Sequence, residues 1–467
     1  MTRTAKRASR RLAQPDAGEH LPAQAELRRI AERVLALSEA DETEVTIEAE
    51  SEALTRFANN TIHQHVDEQG LAISIRAVVD GRTARATTNK SDDESLARAA
   101  ASALVLARHQ PKNPGLLPMA APPSRGAAKP VRRYFEATAA ASPADRARVV
   151  AALCKTAARE GHTAAGIFST GASSMAIANS RGLFAAHQQT RAEFSITAMD
   201  GDSSGWAKAT SPDLRAIDPK ELAQRAMQKA AASRNPREVE PGRYTVILEP
   251  AAVLDLVGFM FYDFAGTAVL DHRSCFNDRI GKQVMGSGIN IHDDVYHPLQ
   301  SGAPFDGEGL PRQHVQLVEG GVPKRLVYSR ATAAKMKTRP TGHGLSLPNE
   351  WGEAPMNLVV EGGDTPLEKM IASTDRGILL TRVWYVREVD PYEKVLTGMT
   401  RDGTFLVENG RVTAGLRNFR FNQNILEMLS SVEQLSPAVR ASGEEAFDMI
   451  VPAMKVRNFH FTELTKF

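Results

Sequence analysis

The polar side chains that could do chemistry are concentrated in short segments of the second half of the chain. The run HDDVYH places His292, Asp293, Asp294 and His297 close together, and imidazole and carboxylate are ligands that a divalent metal accepts. In an extended strand, however, alternate side chains point to opposite faces, so His292 and His297 would diverge unless a turn intervened. We therefore expect a polar loop here, with a metal site as the alternative.

Two further segments carry a histidine next to reactive or flexible neighbours. DHRSC (271–275) contains His272 and Cys275, but a thiol nucleophile needs a base within hydrogen-bond reach and an oxyanion hole, a geometry that sequence neighbours seldom meet. We expect Cys275 to be a small buried residue, and keep a hydrolase that uses His272 as the alternative. His343 in TGHG lies between two glycines, which would let the backbone approach a ligand, although a plain turn is favoured.

Two familiar catalytic motifs are missing from the sequence. It contains no His-Glu-x-x-His, which would place two imidazoles and a carboxylate on one helical face around zinc, and no Gly-x-x-x-x-Gly-Lys-Ser/Thr loop for phosphate. The GSG at 286–288 is too short for a dinucleotide fingerprint and reads as a turn. Neither a zinc peptidase nor a nucleotide-binding enzyme is indicated by these patterns.

Length, composition and charge restrict the class of protein. The chain has 467 residues, of which 42% are hydrophobic and 24% charged, and this length favours two domains of about 200 residues each. The 57 basic and 55 acidic residues leave a formal charge of +2, so neither nucleic acid nor an anionic membrane is an expected partner. The only cysteines, Cys154 and Cys275, fit a reducing cytoplasm.

The sequence also indicates where the chain is located and how it begins. It lacks an apolar run of about 18–20 residues, the length that a membrane span needs, so a cytoplasmic protein is expected. Residues 1–23 are basic with no apolar stretch behind them, and we predict a disordered tail there rather than a signal peptide. An arm that binds nucleic acid is the alternative for this tail.

The elements that must position these side chains fall into two halves. From 24 to 236, a helix-like stretch, period-two alternating runs and another helix-like stretch occur twice, with local parallels such as FANN (57–60) and IANS (177–180). This pattern predicts a duplicated unit of β-meander plus helix, whose copies share a sheet or pack face to face. From 237 to 467 short strands and glycine turns dominate, so the fold class is α+β with a β-rich C-terminal domain.

One helix of the second half is unusual because it is apolar and has no metal ligand of the zinc-peptidase kind. The stretch EPAAVLDLVGFMFYDFAG (249–266) begins with Pro250, which suits the first helical turn. Val253, Val257, Phe261 and Phe264 then recur at helical spacing. We predict a single helix that packs by this stripe.

Several segments together resemble the TldD/PmbA family, the so-called modulators of DNA gyrase. They are YTVILEPAAV, SCFNDRIGKQV followed by INIHDD, the turn TGH, and RDGTFLVENGRVTAGLRNFRFNQNILEML (401–429). The resemblance covers about residues 25–467 and implies a cytoplasmic metallopeptidase made of two related subunits that degrades extended peptides. In such pairs the TldD-like subunit carries His-Glu-x-x-x-His and a C-terminal cysteine, and the TldE- or PmbA-like subunit lacks them.

The resemblance assigns this chain to the subunit without the metal. Aligned on SCFNDRIG, the family's ligand positions correspond to Val257, Gly258 and Tyr262, and the segment 438–456 has no cysteine. The expectations are therefore no cofactor in this chain, zinc only in a TldD-type partner, and a heterodimer with that partner or a homodimer. The alternatives are a self-contained homodimeric hydrolase with a different site, at His272 or in the HDDVYH segment, and a scaffold homodimer without activity. Candidate peptide contacts are His343, Asn349, Trp384 and Tyr385.

Overall fold

The structure is a computed structural model that describes residues 21–123 and 128–465. The tail predicted for residues 1–23 therefore lies almost wholly outside the described residues, and its two interpretations stay predictions. None of the described helices is both long and apolar enough to cross a bilayer.

The helices are short, and most of the longer ones lie in the N-terminal half. In chain order they are α1 (Gln24–Leu37), α2 (Asp93–Arg108), α3 (Glu136–Ala139), α4 (Pro143–Arg159), α5 (Pro219–Ala232), α6 (Pro250–Val257), α7 (Gly266–Leu270), α8 (Arg330–Lys335), α9 (Leu367–Ala372) and α10 (Ile425–Ser430).

The strands are long in the N-terminal half and mostly short in the C-terminal half. They are β1 (Glu42–Ala58), β2 (Thr61–Val79), β3 (Arg82–Thr88), β4 (Thr163–Asn179), β5 (Phe184–Asp200), β6 (Ser203–Ser211), β7 (Arg243–Leu248), β8 (Ile291–Asp293), β9 (Val315–Glu319), β10 (Val322–Pro323), β11 (Leu358–Val360), β12 (Arg376–Asp390), β13 (Val395–Glu408), β14 (Arg411–Gly415), β15 (Phe419–Asn424), β16 (Val432–Leu435), β17 (Val439–Ala441), β18 (Met449–Val451) and β19 (Met454–Leu464).

The predicted duplication is visible as two meanders joined edge to edge. β1, β2 and β3 form one antiparallel unit and β4, β5 and β6 the other, and the sheet order is β3-β2-β1-β4-β5-β6. The two units meet where β1 pairs antiparallel with β4, from Glu44 opposite Asn179 to Phe57 opposite Gly166. Of the two predicted arrangements, the copies therefore share one sheet.

Each meander is covered by its own helices. In the first unit, α1 and α2 bury Leu27, Val34 and Leu96 against the alternate residues of β1 and β2. In the second, α4 and α5 do the same on β4 and β5. The helix starts follow local chemistry: Asp92 accepts the backbone N–H of Ser95 at the start of α2, and Ser142 and Asp145 form a capping box at the start of α4.

The C-terminal half contains two sheets. One has the order β10-β9-β8-β11-β18-β17. In the other, β12 pairs with both β7 and β13, so β12, β7, β19, β15 and β13 close into a ring, with β14 and β16 added at its sides. Alternate residues of the ring enter two cores: Val246 and Leu248 join the large core with α6, whereas Ile247 packs with Met370 of α9.

The stretch 249–266 differs from the predicted single helix. Pro250 does begin α6, but the α-helix ends at Val257 and residues Gly258–Phe264 form a 3₁₀ turn. Val253, Val257 and Phe264 are buried as predicted, and Phe261 is only partly buried at the edge of the core. A 3₁₀ helix has three residues per turn rather than 3.6, so the stripe shifts after Val257 and Phe261 and Tyr262 turn toward the surface.

Candidate functional site

Val257 and Gly258, two of the three residues predicted to correspond to the family's metal ligands, lie where the end of α6 faces the loop formed by residues 443–447, and we call this region the helix–loop contact. Val257 is 1% exposed and part of the large core. Gly258 follows it against the loop, and a Cβ added there would lie 2.5 Å from Cβ of Ala446. The loop, which belongs to the segment 438–456, therefore does face this helix, and protein atoms fill the contact between them.

Asp255 fastens the loop to the helix. Its carboxylate is fully buried and accepts the backbone N–H groups of Glu444, Glu445 and Ala446 at 3.0–3.2 Å. Burial raises the pKa of Asp255 to about 6, and these hydrogen bonds offset only part of the effect. Asp255 thus acts as an anchor for the loop.

Tyr262, the third aligned position, joins an aromatic row rather than a ligand set. Its ring packs edge-on against Trp351 with centroids 4.8 Å apart, and its hydroxyl donates to the Trp351 carbonyl and accepts from Arg273, both at 3.2 Å. Phe261 continues the row to Phe447 of the loop, 5.6 Å away. Burial raises the pKa of Tyr262, which keeps the phenol neutral.

The residues at the helix–loop contact do not fit zinc. Structural and catalytic zinc sites use three or four thiolate, imidazole or carboxylate ligands. Here the three residues at the predicted ligand positions are Val257, Gly258 and Tyr262, which offer an aliphatic group, no side chain and a phenol. The facing loop contributes Ala446 and Phe447.

The nearby carboxylates are occupied by other partners. Asp255 accepts backbone N–H groups of the loop, Glu444 pairs with Lys208, and Glu445 accepts the N–H of Tyr385 and pairs with Arg387.

His343 lies in the protein interior, contrary to its selection as a peptide contact. It is 0% exposed; its Nε2 lies 2.8 Å from Oδ1 of Asp293, and its Nδ1 lies 2.9 Å from the Thr341 hydroxyl. The flanking glycines do permit close approach, but of the protein itself: a Cβ on Gly342 would lie 2.1 Å from the Pro311 carbonyl oxygen. In this conformation His343 has no surface to offer a peptide.

The other three peptide-contact candidates lie nearer the surface. Asn349 closes its own loop by hydrogen bonds to the backbone of 345–352. Trp384 is half-buried, with the Arg382 and Arg401 guanidiniums 5.4 and 4.9 Å from its ring centroid. Tyr385 is 53% exposed, and its N–H donates to Glu445 beside the helix–loop contact. Their contact with a peptide stays a prediction.

The HDDVYH segment is the end of a strand followed by a turn, and its side chains point in different directions. Asp293 points inward to His343, and His292 and Asp294 lie on the other face. His297 is turned away, with its Nδ1 3.3 Å from the Leu299 backbone nitrogen. His292 and Asp294 instead meet His314, which precedes β9 and which the sequence did not single out. One ligand atom from each lies within 4.8 Å of the others.

DHRSC does not form a nucleophile pair. His272 is exposed and has a left-handed backbone with φ 55°, whereas Cys275 is fully buried. Burial and the neighbouring carboxylate of Asp263 raise the pKa of the Cys275 thiol far above its ordinary value. A neutral thiol without access to solvent is a packing residue.

A further sequence pattern, GDSSG (201–205), matches Gly-x-Ser-x-Gly. In hydrolases that pattern forms a turn between a strand and a helix, but here it joins β5 and β6. The hydroxyl of Ser203 donates to the carbonyls of Asp200 and Ala230, so it has no histidine base. The match carries no catalytic geometry.

A cleft of 380 Å³ lies between the N-terminal sheet and the loops of the C-terminal half. Met175 and Gln189 of the sheet face Phe305, Met356 and Phe447 across it. Its rim is fixed by an ion pair between the halves, Arg191 to Asp448 at 2.7 Å. Burial would raise the pKa of Asp448, but Arg191 and Arg440 hold it below its ordinary value.

In a comparison with known proteins, three family models match successive parts of the chain. Family models for PmbA/TldA metallopeptidases match as domain 1 over residues 43–107, as the central domain over 128–234 and as the C-terminal domain over 241–463. The chain belongs to the TldD/PmbA family. The two N-terminal models coincide with the two meanders, which agrees with a duplicated unit.

Individual relatives of the family are distant. A metalloprotease of Methanocaldococcus jannaschii is 27% identical over 46% of this chain and 48% of its own length. A metalloprotease PmbA homolog of Haemophilus influenzae is 24% identical over 45% of each chain. The chain thus spans about half the length of these relatives.

The solved structures support the fold over nearly the whole chain. The crystal structure of TldE from Thermococcus kodakarensis superposes with a TM-score of 0.84, covers 93% of this chain and 99% of that one, and is 20% identical. At this identity the likeness establishes the fold. It confirms the α+β class and the sheet-rich C-terminal half of this family member.

Proposed function

We propose that this chain is the non-catalytic subunit of a TldD/TldE-type peptidase, which closes around an extended peptide together with a metal-bearing TldD-type partner. The observation that carries the proposal is the composition of the helix–loop contact. Val257, Gly258 and Tyr262 stand at the family's ligand positions, and Ala446 fills the space in front of them. Without ligands at this place, hydrolysis depends on zinc held by the partner.

The cleft between the halves is the proposed binding surface for the peptide. It combines apolar side chains such as Met356, 40% exposed, with the polar groups of Gln189 and Arg191. Apolar walls with a few placed polar groups are typical of ligand sites, and a peptide needs both because it presents side chains and a polar backbone. Phe447 lines the cleft and also contacts Phe261, which connects the cleft to the helix–loop contact.

The geometry of the described residues does not support a hydrolase built on the DHRSC segment. Cys275 is inaccessible and His272 stands apart from it. A scaffold that only pairs with itself is the remaining alternative, and reconstitution distinguishes it.

The test is reconstitution of proteolysis from purified chains. This chain is mixed with a TldD-type subunit that carries His-Glu-x-x-x-His, and cleavage of an unfolded peptide is followed by mass spectrometry. The expected result is cleavage by the pair well above that of either chain alone. Cleavage by this chain alone, or a pair no faster than the partner, would contradict the proposal.

A matched pair of variants locates the peptide in the same assay. Met356→Asp puts a charge into the cleft and should raise KM of the pair at least about tenfold, a loss of about 1.4 kcal/mol. Leu106→Asp changes a residue of α2 that is 46% exposed and should leave KM unchanged. Equal effects of both variants would remove the cleft as the peptide site.

A further inference from the structure

The strongest unassigned cluster lies on the sheet β10-β9-β8-β11-β18-β17, away from the aligned metal positions in the sequence. We call His292, Asp294 and His314 the His–Asp cluster. β8 and β9 are antiparallel, with His292 opposite Gln316 and Asp293 opposite Val315. The next pair along this register is Asp294 and His314, so two neighbouring strands bring the three side chains to one face.

The distances are compatible with one shared ion. One ligand atom from each of the three side chains lies within 4.8 Å of the others. Tetrahedral bonds of about 2.1 Å would place ligand atoms about 3.4 Å apart, so the most distant ligand atoms need to approach each other by about 1.4 Å. His314 is exposed and its imidazole can make this movement by rotation. The His292 and His314 rings are already 4.8 Å apart, centroid to centroid.

A second observation points to a ligand independently of this spacing. His292 is 9% exposed, and its Nδ1 has no hydrogen-bond partner. Buried polar atoms normally have a partner, and leaving one unpaired is unfavourable. Oε1 of Glu361 lies 3.4 Å from this nitrogen. An ion bound to this nitrogen would therefore also lie near the Glu361 carboxylate, whose negative charge favours a cation.

We propose that the His–Asp cluster binds one divalent transition-metal ion, with two imidazoles and one carboxylate as ligands. Two imidazoles favour zinc and its neighbours in the first transition row over magnesium or calcium, which prefer oxygen. Three protein ligands with an exposed His314 leave a coordination position open to water or to another ligand. The bound ion links β8 to β9. This site is separate from the proposed function, which concerns the helix–loop contact.

The experiment is calorimetric titration of the full-length chain with Zn²⁺ after treatment with a chelator. The expected result is one ion per chain, and His314→Ala and Asp294→Asn should each weaken binding at least about tenfold, since they remove a ligand. His272→Ala removes an exposed histidine outside the cluster and should leave binding unchanged. Circular dichroism of each variant verifies that the fold is retained.

Two outcomes overturn the proposal. One is the absence of stoichiometric Zn²⁺ binding to the unaltered chain. The other is binding that His314→Ala leaves intact or that His272→Ala weakens equally, since the ion would then be held elsewhere. Reconstituted proteolysis that depends on the partner's zinc but persists in His314→Ala supports both proposals, because it separates the two sites.

Discussion

The helix–loop contact and the His–Asp cluster lie in the same half of the molecule and are built in opposite ways. At the first, Val257 and Gly258, which the family resemblance predicts to stand at the metal-ligand positions, are buried where the helix meets the loop, and the buried carboxylate of Asp255 accepts backbone N–H groups. At the second, two imidazoles and a carboxylate face one another, and His292 keeps an unpaired nitrogen. A metal site thus requires side-chain atoms that are not already used in hydrogen bonds within the protein. Correspondence with a relative's ligand position does not by itself establish such a site.

The largest difference in stability is expected between variants of two adjacent aspartates, Asp293 and Asp294. These residues face opposite sides of the strand that bears the His–Asp cluster. Asp293→Ala leaves the fully buried His343 and the backbone N–H of Asn357 without their acceptor, and each buried polar group left unpaired lowers the free energy of unfolding by about 1–3 kcal/mol. Asp294→Ala removes one hydrogen bond from the Tyr296 N–H and should lower it by about 1 kcal/mol or less. Urea denaturation measures both. Similar losses would mean that the two aspartates do not face different environments.

The next largest effect is the pH dependence of the free energy of unfolding that Asp255 of the helix–loop contact should cause. The folded pKa of Asp255, about 6, lies above its ordinary 3.8, so folding penalises the charged form. The free energy of unfolding should therefore fall as the pH rises from about 4 to about 6, by up to about 3 kcal/mol. Asp255→Asn stays neutral and keeps an acceptor oxygen, so it should lose this slope and be more stable than the unaltered chain at pH 7.

The control for that measurement is Asp278→Asn, which changes an exposed aspartate and should keep the slope between pH 4 and pH 6. An Asp255→Asn chain that retains the slope, or that is less stable at pH 7, would show that the loop needs the charge of Asp255.

The smallest effect concerns the steric closure of the helix–loop contact. Gly258→Ala places a Cβ 2.5 Å from that of Ala446, so the loop must move, and we expect a loss of about 1–2 kcal/mol in the free energy of unfolding. Gly288→Ala adds the same atom where nothing lies within 4 Å and should change stability by about 0.5 kcal/mol or less. Thermal denaturation compares them. Equal stability of the two variants would mean that the contact is loosely packed.

Local patterns predicted much of the fold. The alternation along β1, β2, β4 and β5 and the repeated order of helix and strands gave the duplicated meander, and Pro250 marked the start of α6. The pairing of β1 with β4 and the closure of β12 on both β7 and β13 were not predictable, because register between distant strands depends on contacts that a single sequence does not display. The 3₁₀ turn after Val257 was not predicted, because the apolar residues Phe261 and Phe264 continue the spacing of an α-helix through it.

The site residues show the same limit. His314 precedes the short strand VQLVE, and only the pairing of β9 with β8 brings it to His292. His343 was selected because glycines flank it, and the same glycines turned out to admit Pro311 and other protein atoms. Flanking glycines indicate that other atoms come close to the backbone, but the sequence does not show whether those atoms belong to a ligand or to the protein itself.

The central claim is that the aligned metal positions of this chain hold no ion. Anomalous diffraction at the zinc absorption edge, from crystals of the full chain grown with Zn²⁺, locates every bound ion directly. We expect no zinc peak between Tyr262 and the loop 443–447, and we expect a zinc peak between His292 and His314. A zinc peak beside Tyr262 and Val257 would contradict it.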